Sequence, residues 1–133
     1  MRIMTPEKIL IIGAREPEIS DAEAIFISTY AQEKNWIMDG IKKGWYQAHT
    51  LCVESTPKYV IVWHKNDQSV MHVNAIAQIN GGGKFETLVA GMKAIARKFD
   101  CRAIEGLTVR QGLIKKLMQN GFRPVGVTVL CEL

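Results

Sequence analysis

The stretch Gln78-Ile79-Asn80-Gly81-Gly82-Gly83-Lys84, running straight into Phe85-Glu86-Thr87-Leu88-Val89, decides how this chain is read. Three consecutive glycines separate an apolar run that includes Val73 from the most regular amphipathic segment of the sequence. Counting from Phe85, the apolar residues Leu88, Val89, Met92, Ile95, Ala96 and Phe99 fall at offsets of 3, 4, 7, 10, 11 and 14, the 3.6-residue period of a helix with one buried face. Lys84, Glu86, Lys93, Arg97 and Lys98 fall off that stripe. Glycine costs roughly 0.5–1 kcal/mol against alanine in regular structure, so a triplet in front of a helix calls for a reason. A flexible turn is one. The other is ligand binding: a helix N-terminus presents unpaired N–H groups and the positive end of its dipole. Glycines let the main chain approach an anion closely and fold into a nest around it. A phosphate or pyrophosphate is the natural guest.

Two nucleotide-binding motifs are excluded. A Walker A loop needs glycine five residues before Gly83, where Gln78 stands, and Ser or Thr after Lys84, where Phe85 stands. A dinucleotide fingerprint counted from Gly81 finds Gly83 at its second glycine but Glu86 at its third. The pattern that fits is Q/R-x-x-G-x-G/A, with Gln78, Gly81 and Gly83 in its fixed positions. In this setting, after a strand and opening a strong helix, the loop resembles that of the GNAT acetyltransferase superfamily. The likeness extends over residues 70–122, since the segment from Arg110 ends in Gly121-Phe122, as the family's later helix does.

The resemblance implies an α/β domain spanning residues 1–133, with a central mixed sheet splayed between two strands and flanked by helices. It implies acetyl-CoA, or another acyl-CoA, as cofactor and direct transfer of an acetyl group to an amine of a protein or small molecule. Under it, the backbone around Gln78, Asn80, Gly81, Gly82 and Gly83 holds the pyrophosphate, and Lys84 adds positive charge. Val73 lies where the family's strand offers main-chain hydrogen bonds to the acyl carbonyl, an oxyanion-type device. Arg110 occupies the place of a cofactor-contacting Asn. Leu117 occupies the place of the Tyr that protonates the leaving thiolate. That replacement keeps a second function class open: a domain of the same fold without catalysis, serving binding or assembly, as in some phage-encoded proteins. For the base that deprotonates the amine, His72 and Glu105 are the candidates nearest to the expected site. Trp36, Trp45 and Tyr46 stand in a region that walls the acceptor site in this family.

Outward from the loop, the elements follow an α/β order. Lys8 to Ile12, closed by Gly13, reads as a strand. Ser20-Asp21-Ala22-Glu23 has the form of a capping box and predicts a helix from there to about Lys34. A second helical stretch is expected from about Met38 to Tyr46. Thr50 to Val53, Tyr59 to Trp63 and Val70 to Val73 read as strands, with a turn at Asn66-Asp67-Gln68. Ala103 to Val109 follows as a strand, then a helix from Gln111 to Asn120 with Gly121 as its C′ residue. Val125 to Leu130 reads as one last strand, whose alternating Val125, Val127 and Val129 suit an edge that pairs with a second subunit.

Bulk properties narrow the function classes. With 47% apolar and 23% charged residues, the chain can bury a core without staples. The net charge of +4 is spread over pairs such as Lys42-Lys43 and Lys115-Lys116, and no basic cluster interleaved with aromatics marks a nucleic-acid surface. Cys52, Cys101 and Cys131 are odd in number and far apart, which fits free thiols in a reducing, cytoplasmic setting. His49-x-x-Cys52 lacks a second ligand pair, so no metal site is expected. Met1 to Pro6 has no sustained apolar region, so no signal peptide is expected. No apolar run approaches the ~18 residues of a membrane span.

Overall fold

An apolar run without period-2 alternation, such as Tyr59-Val60-Ile61-Val62-Trp63, marks a strand covered on both faces. The computed structural model, which describes residues 8–29, 34–107, 111–125 and 128–133, places that run at the centre of a seven-stranded sheet. The elements are β1 (Ile9–Gly13), α1 (Glu16–Thr29), α2 (Lys34–Lys42), β2 (Gln47–Val53), β3 (Thr56–Lys65), β4 (Val70–Gln78), α3 (Phe85–Lys98), β5 (Ala103–Leu107), α4 (Gln111–Gln119), β6 (Arg123–Val125) and β7 (Thr128–Glu132). The strand order is β1-β2-β3-β4-β5-β7-β6, antiparallel throughout except for the parallel pair β4 and β5.

Alternate residues of β3 feed two cores. Tyr59, Ile61 and Trp63 join Leu88, Val89, Met92, Ile95 and Ala96 of α3, with Leu117 of α4 in the same cluster. Val60 and Val62 join Ala22 and Phe26 of α1 and Ile37 and Met38 of α2 on the other face. The α3 stripe expected from its period is the buried one. Gly91 sits where that helix crosses Leu51: a Cβ there would lie 2.7 Å from a leucine methyl, so only glycine permits this approach.

Several boundaries differ from the expected ones. The α1 helix begins at Glu16, four residues before the capping box. The real cap is formed by Arg15 and Glu18. Glu18 Oε1 accepts the Arg15 N–H at 3.2 Å and the Arg15 side-chain Nε–H at 2.9 Å, and Ile19 N–H donates to Arg15 C=O at 2.9 Å as the first helical bond. Pro17 fits in this first turn because the amide it lacks has no helical acceptor there. The second helix starts at Lys34 and stops at Lys42. Gly44 at φ 76° closes it, with Gly44 N–H on Ile41 C=O and Trp45 N–H on Gly40 C=O. The same geometry closes α4 at Gly121 (φ 91°), as expected from sequence.

The expected final strand is two strands, β6 and β7, paired antiparallel from Arg123↔Leu130 to Val125↔Thr128. Of the alternating valines, Val125 therefore lies on the edge strand β6. Val129 is buried in β7, between β5 and β6, while Val127 lies outside the described residues. The sheet edges are β1 and β6, and the charges of Arg123 and Glu132, 2.9 Å apart, dress the β6 side.

Two irregularities shape β4. Its pairing with β3 steps from Val62↔Ala75 to Trp63↔Val73, leaving Asn74 as a bulge. Its pairing with β5 runs only from Val70↔Ala103 to Val73↔Gly106. Among the described residues the pairing of the two strands stops at Val73, which agrees with the splayed sheet expected from the sequence.

Buried His49 on β2 reports on the core. Its Nδ1 accepts the Trp63 indole N–H at 3.0 Å, which requires the neutral ring, and Phe99 stands edge-on to it at 5.2 Å. Burial, and then the Lys98 charge, push its pKa down. The unfolded chain therefore takes up the proton first. The stability lent by the neutral ring is complete above the ordinary histidine value of ~6.5 and is lost as pH falls from there toward the lowered folded value. Urea unfolding at pH 7.5 and pH 5 is expected to show this loss, and a His49→Leu variant to show a smaller change between the two pH values.

Candidate active site

The site is built at the two ends of the open side of β4. At the C-terminal end, Gln78 is the last strand residue and Ile79 to Lys84 form the loop. Asn80, Gly81 and Gly82 adopt left-handed backbone in succession, with φ of 51°, 80° and 62°. Gly82 cannot be replaced freely, since a Cβ there would come 3.0 Å from Gln78 Cδ. Not every loop amide faces outward. Gly82 N–H donates to Ile79 C=O at 2.9 Å, and Gly83 N–H donates to the Tyr59 hydroxyl at 3.0 Å. These two glycines shape the loop rather than offer donors. Lys84 is the N-cap of α3 in extended conformation, and its side chain makes no capping bond. The amides of Phe85 and Glu86, in the first turn, have no helical acceptor. The free end of α3, with Lys84 exposed beside it, is the anion-receptive part of the loop.

At the other end of the opening stand His72 on β4 and Glu105 on β5, partners in the parallel register. His72 Nδ1 lies 3.1 Å from Glu105 Oε1, and both side chains are one-quarter exposed. An ionised carboxylate only accepts, so Nδ1 carries the proton, and in the neutral ring Nε2 then presents a lone pair. Glu105 Oε1 also accepts from Asn66 Nδ2 at 3.1 Å. The Asn66 orientation is fixed in turn, because its Oδ1 accepts the N–H groups of Gln68 and Val70. This is the arrangement of an imidazole base oriented by a carboxylate.

His72 continues a line of rings. Its ring lies tilted against His64 at 5.0 Å, His64 lies tilted against Tyr46 at 5.6 Å, and Tyr46 meets Trp36 edge-on at 5.2 Å, with Trp36 half exposed. His64 Nδ1 is 2.9 Å from Oδ1 of Asn74, the bulge residue. Met71 and Val73, which flank His72, pack on the α3 side, so His72 faces the α1 and α2 side. The glycine loop, which leads into α3, and the His72–Glu105 pair, on the opposite face, thus stand at the two ends of β4. From His72 to Gln78 is six residues of strand, about 20 Å at ~3.3 Å per residue.

The sequence reading put His72, Val73 and the loop on one strand-loop-helix unit and Glu105 on the strand that follows; these are β4, the loop with α3, and β5, and the structure brings His72 and Glu105 into contact. Arg110 lies outside the described residues. Leu117 is buried in the α3-side core rather than lining the opening. His64, Asn74 and Tyr59 were missed. The bulge leaves no mark beyond an unremarkable Asn in a strand, and Tyr59 reads as ordinary core.

The chain superposes on solved structures over nearly its full length. A Bacillus subtilis acetyltransferase in complex with CoA is 14% identical with a TM-score of 0.71, covering 96% of this chain and 99% of its own. A ribosomal-protein-alanine N-acetyltransferase from Brucella melitensis is 13% identical with a TM-score of 0.67, covering 93% and 99%. The chain has the GNAT acetyltransferase fold. A further GNAT family acetyltransferase from Brucella melitensis, in complex with acetyl-CoA, is 9% identical with a TM-score of 0.64 and covers 95% of this chain and 88% of its own. No protein-family model and no curated protein matches the sequence. Among the described residues, no helix of this GNAT fold is long and apolar enough to cross a membrane.

Because Leu117 faces the core, placing a phenol there does not supply an acid. A Leu117→Tyr variant is expected to lose about 1–3 kcal/mol of stability by overpacking, seen as a lower melting temperature, with no gain in any acetyl transfer.

Proposed function

We propose that this chain is an acyl-CoA-dependent N-acetyltransferase, acting as one domain over residues 1–133 and transferring an acetyl group directly to an amine of a protein or small molecule. The observation that carries this reading is the opening of β4 from β5 after Val73, with the anion-receptive loop at one end and the His72–Glu105 pair at the other. The residues fit acetyl-CoA. An extended ligand with phosphate at one end and a reactive group at the other matches two functional ends about 20 Å apart along one strand. Gln78, Asn80 and the three glycines set the loop, Gly81 and the first-turn amides of α3 face the pyrophosphate, and Lys84 adds charge. Val73 and the unpaired main chain after it lie along the arm. Arg110 belongs to the same proposed set.

Acetyl-CoA, when bound, supplies the acyl group as a thioester. His72 Nε2 accepts the proton that the attacking amine must lose, and Glu105 holds the ring and offsets its charge. Main-chain N–H groups of β4 beside the opening stabilise charge developing on the acyl oxygen. A thiol pKa near ~8.5 lets the sulfur leave as a thiolate without a phenol donor. Trp36, Tyr46 and His64 wall the acceptor side. A cytoplasmic setting is part of the proposal, supported by three free, buried thiols. The buried Leu117 favours one second reading, a binding or assembly module that keeps the fold without the chemistry.

Calorimetric titration with acetyl-CoA, beside a CoA-release assay on a panel of amines, separates the two. Binding with turnover supports the enzyme, binding alone supports the module, and no binding at millimolar acetyl-CoA rejects the cofactor assignment. Gly83→Asp is expected to fold, because a Cβ there makes only ordinary contact with the Tyr59 ring at 3.6 Å. Its carboxylate beside the anion site is expected to weaken acetyl-CoA binding at least ~10-fold by like-charge repulsion. His72→Asn is expected to lower turnover ~10²-fold while acetyl-CoA affinity stays unchanged, and Glu105→Gln to lower it less. Equal turnover in His72→Asn and wild type removes His72 from the reaction.

A further inference from the structure

The anion-receptive loop is gripped from below by three successive residues of β3. Pro57 C=O accepts the Asn80 side-chain N–H at 2.8 Å. Lys58 C=O accepts the Ile79 N–H at 2.9 Å, and Lys58 Nζ donates to Asn80 C=O at 2.8 Å. The β2–β3 register steps from Cys52↔Pro57 to Leu51↔Tyr59, which makes Lys58 a bulge whose groups are free of the ladder. Tyr59, only 1% exposed, sends its hydroxyl out of the core to Gly83. That hydroxyl accepts the Gly83 N–H at 3.0 Å and donates to the Gly83 C=O at 2.7 Å.

We propose that Tyr59 is a positioning residue, which fixes the loop in its anion-receptive shape before any ligand arrives. The proposal rests on the acetyl-CoA reading given above. Between the grips on Asn80 and Gly83 lie Gly81 and Gly82, both left-handed. Glycines in succession lose the most conformational freedom on ordering. A loop ordered only by its ligand would subtract that entropy from the binding energy, whereas a pre-formed loop does not. Tyr59 holds the downstream end of the glycine run. By holding both polar groups of Gly83, it sets the direction in which Lys84 and the first turn of α3 leave the loop. The phenol is engaged with Gly83 and lies at the loop end of β4, away from His72 and Glu105. Its effect therefore falls on cofactor affinity and not on proton transfer.

Tyr59→Phe keeps the buried ring and removes the hydroxyl. Three quantities are read: the acetyl-CoA dissociation constant by calorimetry, kcat at saturating acetyl-CoA, and amide hydrogen exchange at Gly83 without ligand. The expected result is a dissociation constant raised ~10-fold, a kcat within about twofold of wild type, and exchange at Gly83 accelerated at least ~10-fold. A purely structural role would lower the melting temperature and leave the dissociation constant in place. Wild type that binds acetyl-CoA beside a Tyr59→Phe variant that binds it equally well overturns this inference alone. Wild type that fails to bind overturns the cofactor reading and this inference with it. Should Tyr59→Phe not fold, the Gly83 amide of ligand-free wild type decides: exchange slowed at least ~10-fold against an exposed loop amide supports the proposal, and exchange at the exposed-loop rate overturns it.

Discussion

The molecule depends on the divided pairing of β4. Against β3 it is hydrogen-bonded along its length, from Lys65↔Met71 to Tyr59↔Gln78. Among the described residues it is paired against β5 as far as Val73↔Gly106. Backbone donors and acceptors inside a protein need partners, so a strand that loses its neighbour in mid-sheet leaves a line of groups that a ligand can satisfy. The bulge at Asn74 follows the last of those pairs, and it re-aims the residues on either side. The glycine loop and the His72–Glu105 pair lie at the two ends of that seam.

Stability and site formation share the same residues. The two-sided burial of β3 holds the sheet together, with Tyr59, Ile61 and Trp63 in one core and Val60 and Val62 in the other. The same strand supplies Tyr59 to the loop on one side and His64 to the ring line on the other. Asn66, in the turn after it, locks Glu105, which in turn orients His72. Each polar side chain near the seam has its partner. Among the described residues, no buried side-chain nitrogen or oxygen is left unsatisfied. Such a network is rigid because breaking one bond would leave a buried group without a partner. His72 is thus held by the turn and the sheet rather than by a mobile loop.

Low identity over nearly full coverage shows what this fold requires. The solved structures share 9–14% of residues with this chain yet superpose over more than nine-tenths of it. What persists is the course of the backbone, within which apolar residues of similar volume can exchange. Leu117 illustrates the freedom. In the position expected for a phenol it packs into the α3-side core, where it contributes apolar contact instead of a proton.

The amino-acid sequence by itself determined the local elements with strong patterns. The 3.6-residue stripe gave α3, the β-branched and aromatic run gave the centre of β3, and Gly121 marked the end of α4. The glycine triplet before a helix pointed to an anion, because backbone freedom and helix-end chemistry are local properties. Where signals competed, tertiary contacts decided. The Ser20 capping box lost to Arg15 and Glu18, because Glu18 is buried against β2 near Thr50, and the helix starts where that carboxylate is satisfied. The single last strand expected from alternating valines became the antiparallel pair β6 and β7, with β7 lying along the edge that β5 offers. The seam itself, the His64–Asn74 contact and the grip of Tyr59 on Gly83 join residues 10 and 24 positions apart. No local propensity encodes such contacts. They exist because strand register, fixed by the two covered faces of the sheet, brings those side chains together.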